Sequence, residues 1–265
     1  MSDVLEPRDD EDIEECEADR AHRRRTAVIE VPPGAPWNEV EEAILRRRSI
    51  RKFKARQVPS YLIRRILEVA RFSPSQGNCQ PWSFVVIRDK AMIAQMEAYC
   101  VAVCKVMTAK MDYTNYRRGT WKRLVTQAKT RLLARFNRSA LHPIPMSAMK
   151  MIAEGRFAVF HKAPTVILLL MDKNGVGTPE VDIGVVGTNI VTAAQSLGLG
   201  SCWVGFSKIL NSNKALCEKL GATAPFEIVE AISLGYPIGN PTQHHIARQT
   251  HEIQWWEDGK KQVLY

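Results

Sequence analysis

The sequence is poor in closely spaced metal ligands. Its 265 residues include six cysteines, none in a CxxC pair. Iron–sulfur clusters and structural zinc sites need clustered thiolates or histidines, so neither is expected. Cys100 and Cys104 lie one helical turn apart, and we interpret them as packed helix residues because no neighbouring feature lowers either thiol pKa. His244 and His245 are adjacent without a third ligand at metal spacing, so we predict no metal site.

Long apolar runs are also missing. The longest candidate, Ala163 to Met171, has the length of a buried strand, whereas spanning a bilayer takes roughly 18 to 20 residues. The N-terminus is acidic and has no apolar segment of the signal-peptide type. We therefore predict a cytoplasmic protein with no membrane partner. Hydrophobic residues make up 45% of the chain, enough for one large domain with extensions.

Charge is distributed unevenly around a formal net charge of +9. Residues 3–19 are strongly acidic, residues 22–25 are basic, and residues 105–138 are dense in Lys and Arg. Residues 1–26 have the composition of a disordered charged tail. No helix-turn-helix, zinc-finger or RNP pattern accompanies the basic stretches, so nucleic acid is not an expected partner. Anionic small molecules or an acidic protein fit this charge better.

The remaining chain, residues 27–265, reads as one domain of alternating helical and strand patterns. The sequence predicts helices from Asn38 through Arg48, over 63–72, 182–197 and 208–220, and strands at 84–87, 165–171 and 226–234. The strand at 165–171 is apolar on both faces, so we expect a layer on each side of it.

A basic helical insertion occupies about residues 91–150 of that domain. A break is expected at 115–120, and an end at His142–Pro145, where two prolines interrupt the pattern. Two interpretations stay open. The insertion could form helices over an active-site entrance and control substrate choice, or it could be a surface excursion that stabilises a dimer.

A polar loop between a helix and a strand is the first candidate site. Residues 73–84 read SPSQGNCQPWSF. The prolines fix φ and Gly77 can adopt positive φ, so the loop is shaped. It presents Ser75, Asn78 and Gln80 as neutral donors and acceptors, which suits a ligand such as a flavin ring. The alternative is a connector whose polar groups bond to its own backbone.

An arginine-rich segment upstream is the second candidate. Residues 46–53 read RRRSIRKF at the end of a short amphipathic helix. Several guanidinium groups packed so closely favour a nearby anion, because the planar fork of Arg matches phosphate and Ser adds a neutral donor. The alternative is a cationic helix C-terminus that complements the helix dipole.

Taken together, RRSIRKF, a helix and then SPSQGNCQPWSF resemble the nitroreductase family of FMN-dependent oxidoreductases, from about Trp37 to the C-terminus apart from the insertion. The resemblance implies an α+β, nitroreductase-like three-layer α/β/α fold with a mixed central sheet, in an intertwined homodimer with FMN at two interfaces. It also implies that terminal segments embrace the partner subunit, which would bury Trp255 and Trp256.

The resemblance further implies which residues bind FMN: ligands of the phosphate and ribityl chain, contacts of the ring, and N–H donors to flavin N5 and O4. Arg47, Arg48 and Ser49, with Arg248, would bind the phosphate and the ribityl chain. Pro74, Ser75 and Asn78 would contact the ring, in part from the other subunit. Val204 and Gly205 would donate N–H groups to N5 and O4. The segment 198–206 is not a dinucleotide fingerprint, because its glycines follow a helix and precede a strand. The chemistry belongs to the flavin, so we predict no catalytic side chain.

The expected activity is hydride transfer from NADH or NADPH through FMN to a small electron-poor acceptor, such as a nitroaromatic or a quinone. One alternative is a specialised flavoenzyme of the same fold: a reductive dehalogenase, a flavin-fragmenting enzyme, or an oxidase on an anionic substrate. Another is a non-enzymatic flavin- or nucleotide-binding regulator.

Overall fold

The computed structural model describes residues 36–112, 117, 119–136, 143–240 and 251–264. These residues belong to two compact units, one covering 39–241 and one that includes the C-terminal residues. The predicted tail at 1–26, the adjacent His244 and His245, and Arg248 lie outside the described residues.

Seven α-helices and six strands make up the described chain. Helices α1 to α7 cover Glu39–Arg46, Ser60–Arg71, Lys90–Met111, Trp121–Phe136, Pro143–Ala153, Pro179–Ser196 and Lys214–Lys219. Strands β1 to β6 cover Trp82–Ile87, Thr165–Asp172, Gly200–Val204, Phe226–Gly235, Ile253–Glu257 and Lys260–Leu264. Two 3-10 helices cover Gln76–Asn78 and Gly205–Ser212.

The central sheet has the strand order β1-β2-β4-β3, and neighbouring strands are antiparallel. A single parallel bridge joins Ser49 to Ser201 at the outer side of β3. The expected α+β fold is confirmed. The expected mixed sheet is not found among the described residues, because the four strands run antiparallel and the Ser49–Ser201 bridge lies outside them.

Strand β2 divides the core into two apolar clusters because its side chains alternate between the faces of the sheet. Val166, Leu168 and Leu170 pack in the cluster that includes α3 and α5. Ile167 and Leu169 pack in the cluster that includes α2 and α6. Helices therefore cover both faces, as the all-apolar run at 165–171 predicts, and the three layers are helix, sheet and helix.

The prediction that the helical pattern ends at His142–Pro145 is wrong, because Pro143 begins a further helix, α5, which continues to Ala153. Proline is tolerated in the first helical turn, where its missing N–H would have no partner in any case. The expected break at 115–120 is confirmed in its described part, since α3 ends at Met111 and α4 begins at Trp121.

Helix α3 is the one described helix that is long and apolar enough to cross a membrane by length and composition. One face of it is built into the core, where Met96, Cys100 and Cys104 are fully buried. Burial raises the pKa of Cys100 to about 12 and that of Cys104 to about 11. Both thiols are free, and the interpretation of them as packed helix residues is confirmed.

The C-terminal unit contains a two-stranded antiparallel hairpin of β5 and β6. Trp255 and Trp256 occupy successive positions on β5 and are 50% and 67% exposed. Successive residues of a strand point to opposite faces, so both faces of the hairpin carry an indole ring. Burial of these rings by a partner subunit stays a prediction.

Candidate functional site

The arginine-rich segment runs along the free edge of β3. After α1 ends at Arg46, the chain is extended, and Ile50 N–H donates to Ser201 O at 2.9 Å beside the Ser49–Ser201 bridge. Ile50 itself is buried, and a Cβ at Gly200 would come within 2.9 Å of its side chain. Only glycine at 200 lets the segment approach β3 this closely.

Extended geometry sorts the side chains of this segment into two sets, since alternate residues point to the same side. Arg47, Ser49 and Arg51 form one set, and all three interact with the thiol of Cys202 on β3. Burial raises the pKa of this thiol, while the two guanidinium groups and the Ser49 hydroxyl oppose the rise. The charges of Arg47 and Arg51 and the Ser49 hydroxyl therefore all act on the thiol of Cys202 at the edge of β3.

Arg48 belongs to the other set. Its guanidinium donates to the backbone carbonyls of Leu45, at 2.6 Å, and of Arg47, at 2.8 Å. These are carbonyls at the C-terminal end of α1, where a cation complements the helix dipole. This contact agrees with the interpretation of a cationic helix C-terminus, whereas phosphate binding by the other arginines stays a prediction. Arg51, which was not among the predicted ligands, lies on the same side of the segment as Arg47 and Ser49.

The polar loop, residues 73–81, has a fixed and unusual backbone. Gly77, Asn78 and Gln80 have φ of 59°, 55° and 49°. The Ser75 hydroxyl accepts from the Gln80 N–H at 2.9 Å, and the Gln80 side-chain amide donates to Asn78 Oδ1 at 3.0 Å. Asn and Gly tolerate the left-handed region, whereas Gln at 80 is strained there. Pro74 and Asn78 are exposed, and Ser75 is half-buried.

Helix α6 anchors this loop to the protomer. Asn189 Nδ2 donates to the Ser73 hydroxyl at 2.7 Å, and Gln76 N–H donates to Asp182 Oδ1 at 3.4 Å. The other carboxylate oxygen of Asp182, Oδ2, is buried and has no hydrogen-bond partner within the described ranges. A buried carboxylate oxygen is costly to leave unpaired, so this atom marks a position where a further donor is expected beside the loop.

The third predicted element is the C-terminal end of β3. Val204, the last strand residue, is buried, and Gly205 begins the following 3-10 helix and is exposed. Beneath them, Glu230 of β4 pairs with Lys208 at 3.3 Å. Burial raises the pKa of Glu230, and Lys208 opposes the rise. Sequence reasoning missed this pair, because nothing in the sequence shows that β4 lies beside β3.

The polar loop and the arginine-rich segment lie at opposite ends of the sheet. The loop leads into Trp82, which pairs with Met171 near the end of β2, whereas Ser201 and Thr165 both pair with Leu234 near the start of β2. The six steps of β2 from Thr165 to Met171 amount to about 20 Å, and three strand spacings from β1 to β3 add about 14 Å across the sheet. One protomer therefore does not bring the two predicted regions together.

The comparisons with known proteins agree with this fold. The chain is 27% identical over 199 residues to an Archaeoglobus fulgidus protein named as a candidate NADH dehydrogenase/NAD(P)H nitroreductase, covering 75% of this chain and 86% of that protein. It is 24% identical over 212 residues to iodotyrosine deiodinase 1 of Rattus norvegicus, covering 80% and 67%. A crystal structure of a nitroreductase with bound FMN from Desulfitobacterium hafniense superimposes with a TM-score of 0.59 at 21% identity, covering 84% of this chain and all of that one.

The match to a family model is more extensive than any single motif. Residues 44–236 match the model of the nitroreductase family, a range that begins in α1 and ends just beyond β4. It contains the arginine-rich segment, the polar loop and the end of β3, and it covers most of the chain. The protein belongs to the nitroreductase family.

Proposed function

We propose that the protein is an FMN-dependent oxidoreductase that takes hydride from NADH or NADPH and passes it to an electron-poor acceptor, such as a nitroaromatic or a quinone. The observation that carries this proposal is the set of Arg47, Ser49 and Arg51 on the free edge of β3, in a chain of the nitroreductase family. Two guanidinium groups and a hydroxyl on one side of an extended segment suit a phosphate.

The cofactor phosphate and ribityl chain would lie along this edge. Arg47, Ser49 and Arg51 would bind the phosphate directly, and Arg248, which lies outside the described residues, would add a further cation. Arg48 would act by holding the segment on the end of α1, through the carbonyls it already contacts. This division of roles follows from the alternation of the extended backbone.

The ring would lie against the end of β3. Val204 and Gly205 would face N5 and O4, and the exposed Gly205 leaves room for a planar ligand because it carries no side chain. When bound, FMN supplies the hydride chemistry. Residues of the chain then orient the ring. The ion pair of Glu230 and Lys208 behind Gly205 would set the electrostatic environment on that side of the ring. No side chain is required as an acid or base.

A homodimer would complete the site. Pro74, Ser75 and Asn78 lie at the far end of the sheet from Arg47, so they would reach the ring of the FMN held by the other subunit. Exposed apolar side chains on α1 and α2 support a subunit interface. Val40 and Ile44 of α1 are 67% and 55% exposed, and Phe72 at the end of α2 is 81% exposed. A cytoplasmic location is part of the same proposal.

The visible spectrum tests this function most directly. The purified protein is mixed with FMN, freed of unbound cofactor, and reduced without oxygen by NADH, NADPH or dithionite. We expect bound oxidised-flavin bands that either nicotinamide bleaches, and return of the bands when a quinone is added. Failure to take up FMN would refute the proposal. If only dithionite bleached the bands, NADH and NADPH would be refuted as electron donors, and the proposal that the protein binds FMN would stand.

Reductive dehalogenation is the second candidate, and the similarity to iodotyrosine deiodinase 1 favours it. The basic helix α4 has no acidic residue and could receive an anionic halogenated aromatic. The discriminating measurement is halide release from an iodinated phenol by the dithionite-reduced protein, compared with reduction of a nitroaromatic by the same preparation. Halide release faster than nitroaromatic reduction would favour the dehalogenase.

A further inference from the structure

A cavity of about 640 Å³ lies between α3 and the connection from α5 to β2. Its lining is mainly apolar and includes Ile93, Val101, Phe157 and Phe160. Among the residues that the structure describes, none of those proposed to bind FMN lines it. Small-molecule sites typically have volumes of roughly 300 to 1,000 Å³, with apolar walls and a few polar groups.

The cavity is elongated along α3. Lys90, Ala94, Glu97 and Val101 line it from one face of the helix over three turns, a length of about 16 Å at the usual helical rise. The facing connection runs in the opposite direction. The Gln57 amide donates to Arg88 O and to Pro164 O, which brings the start of α3 beside Pro164.

Glu97 is the one carboxylate among the described lining residues, and it is already bound to the backbone. Glu97 accepts from Val159 N–H at 2.6 Å and from Phe160 N–H at 3.0 Å. Both of its oxygens therefore have donors, and their partial positive charges offset the carboxylate. Glu97 also fixes the connection at its midpoint, so the walls of the cavity are held in place without a ligand.

Cations at the mouth give the cavity its charge preference. Lys90 and Lys162 both line the end near Pro164, and neither lysine forms an ion pair with any residue the structure describes. At the other end Arg156 pairs with Glu154 at 2.6 Å, so its charge is largely offset. The cavity is therefore apolar in its middle and positive at one end.

The backbone at the positive end of the cavity, next to Lys162, is strained. His161 and Lys162 have φ of 55° and 54°, in a left-handed region that residues with a side chain seldom adopt, and two in succession are rarer. The strain is retained because Glu97 and the Ser233 hydroxyl, which donates to Phe160 O at 3.0 Å, hold the turn. Strained residues concentrate at ligand sites, and this pair directs Lys162 to the mouth.

We infer that this cavity binds an elongated organic anion, with an aryl or acyl body along α3 and a carboxylate or sulfonate between Lys90 and Lys162. An apolar middle excludes a polyphosphate, and an unpaired lysine pair disfavours a cation. This site goes beyond the proposed flavin chemistry, because its lining residues and its ligand class are independent of FMN.

The test is calorimetric titration of the FMN-loaded protein with 6-phenylhexanoate and with its neutral amide. We expect the acid to bind about tenfold more tightly than the amide, as a charge-assisted hydrogen bond provides. K162Q and K90Q should each weaken binding of the acid about fivefold and leave the amide unchanged. K105Q, on the exposed side of α3, is the matched control and should change neither.

A second variant separates the apolar body from the charge. A94W places an indole in the cavity and should abolish binding of both compounds, while the melting temperature shows that it folds. Lack of acid binding by the wild type, equal affinity for acid and amide, or full binding by A94W would each overturn the inference. The bound FMN is quantified by absorbance in every sample, so a failure of the flavin proposal is seen separately.

Discussion

The indole ring of Trp203 lies directly against Gly187 of α6, so closely that a Cβ at position 187 would overlap the ring carbons Cζ2 and Cη2. Leu169 Cδ1 limits the same space from the other side, at 3.0 Å from that Cβ position. Trp203 immediately precedes Val204 on β3, so the contact links the packing of α6 to the strand end proposed to face the flavin. Gly187 therefore packs within its own protomer.

Gly187→Ala is expected to destabilise the protein by about 1–3 kcal/mol, because the added methyl group forces Trp203 and Leu169 apart in a packed core. We expect a shift in tryptophan fluorescence and weaker FMN binding, measured on the same preparation. Gly184→Ala is the matched control on the same helix. Its Cβ would meet no atom within 4 Å, so helix propensity should stabilise it by up to about 1 kcal/mol. Equal stability of the two variants would contradict the packing argument.

Arg47 and Arg48 are neighbours in sequence with different expected roles. Arg47→Gln should weaken FMN binding about 10- to 100-fold, because it removes a charge-assisted contact to the phosphate. Arg48→Gln should lower the free energy of unfolding by about 0.3–1 kcal/mol, because it removes a cation from the C-terminal end of α1. Its FMN affinity should change less than about threefold.

Fluorescence titration with FMN and urea unfolding, performed on both variants, distinguish these roles. Ser49→Ala, which removes a hydroxyl from the Arg47 side of the segment, should weaken FMN binding and leave stability unchanged. If Arg48→Gln weakened FMN binding as much as Arg47→Gln does, the assignment of the two sides would be wrong.

The sequence predicts those features whose cause is local. The apolar run at 165–171 specifies β2 and its two covered faces, because a strand buried on both sides needs no polar residues. Pro143 was misread, because a proline that breaks a pattern and a proline that begins a helix look the same without the preceding structure. Arg51 could have been found, since residues two apart in an extended segment share a side with Ser49.

Long-range relationships could not be predicted. Glu97 binds the backbone 62 and 63 residues away, and nothing in the local sequence indicates that partner. The same holds for Glu230 behind Gly205, which depends on the order of strands in the sheet. The separation of the polar loop from Arg47 is likewise a property of strand order, and it supports a site shared between two subunits.

His161 gives the stability a specific dependence on pH. Burial, with the charge of Arg51, lowers its pKa from 6.5 to about 4. Between these values the unfolded chain binds a proton that the folded protein does not, so stability falls as the pH falls through this window and loses nothing further to this residue below it. The loss amounts to about 3 kcal/mol at most.

Urea unfolding of His161→Asn tests this. Asn tolerates the positive φ at position 161 and does not titrate. The variant should be less stable than the wild type near neutral pH, because it loses the Ser233 contact at 3.3 Å and the edge-to-face packing on Phe157. The difference between the two proteins should shrink as the pH approaches about 4. A constant difference over this range would show that the pKa of His161 is the same in the folded and unfolded protein, which would contradict the effect of burial.

The alkylation rate of Cys79 tests whether the polar loop contacts bound FMN. Cys79 is exposed, whereas Cys100, Cys104, Cys202 and Cys217 are buried, and burial raises the pKa of each buried thiol. Iodoacetamide should therefore alkylate Cys79 at least about tenfold faster than these four, because reaction requires an accessible thiolate. Peptide mass spectrometry measures each rate.

FMN should slow the reaction of Cys79, because the neighbouring Asn78 would contact the ring. Arg47→Gln, at an FMN concentration too low to load it, should show no slowing. If FMN protected Cys79 equally in Arg47→Gln, the protection would not come from the bound cofactor, and the loop would have no part in the site.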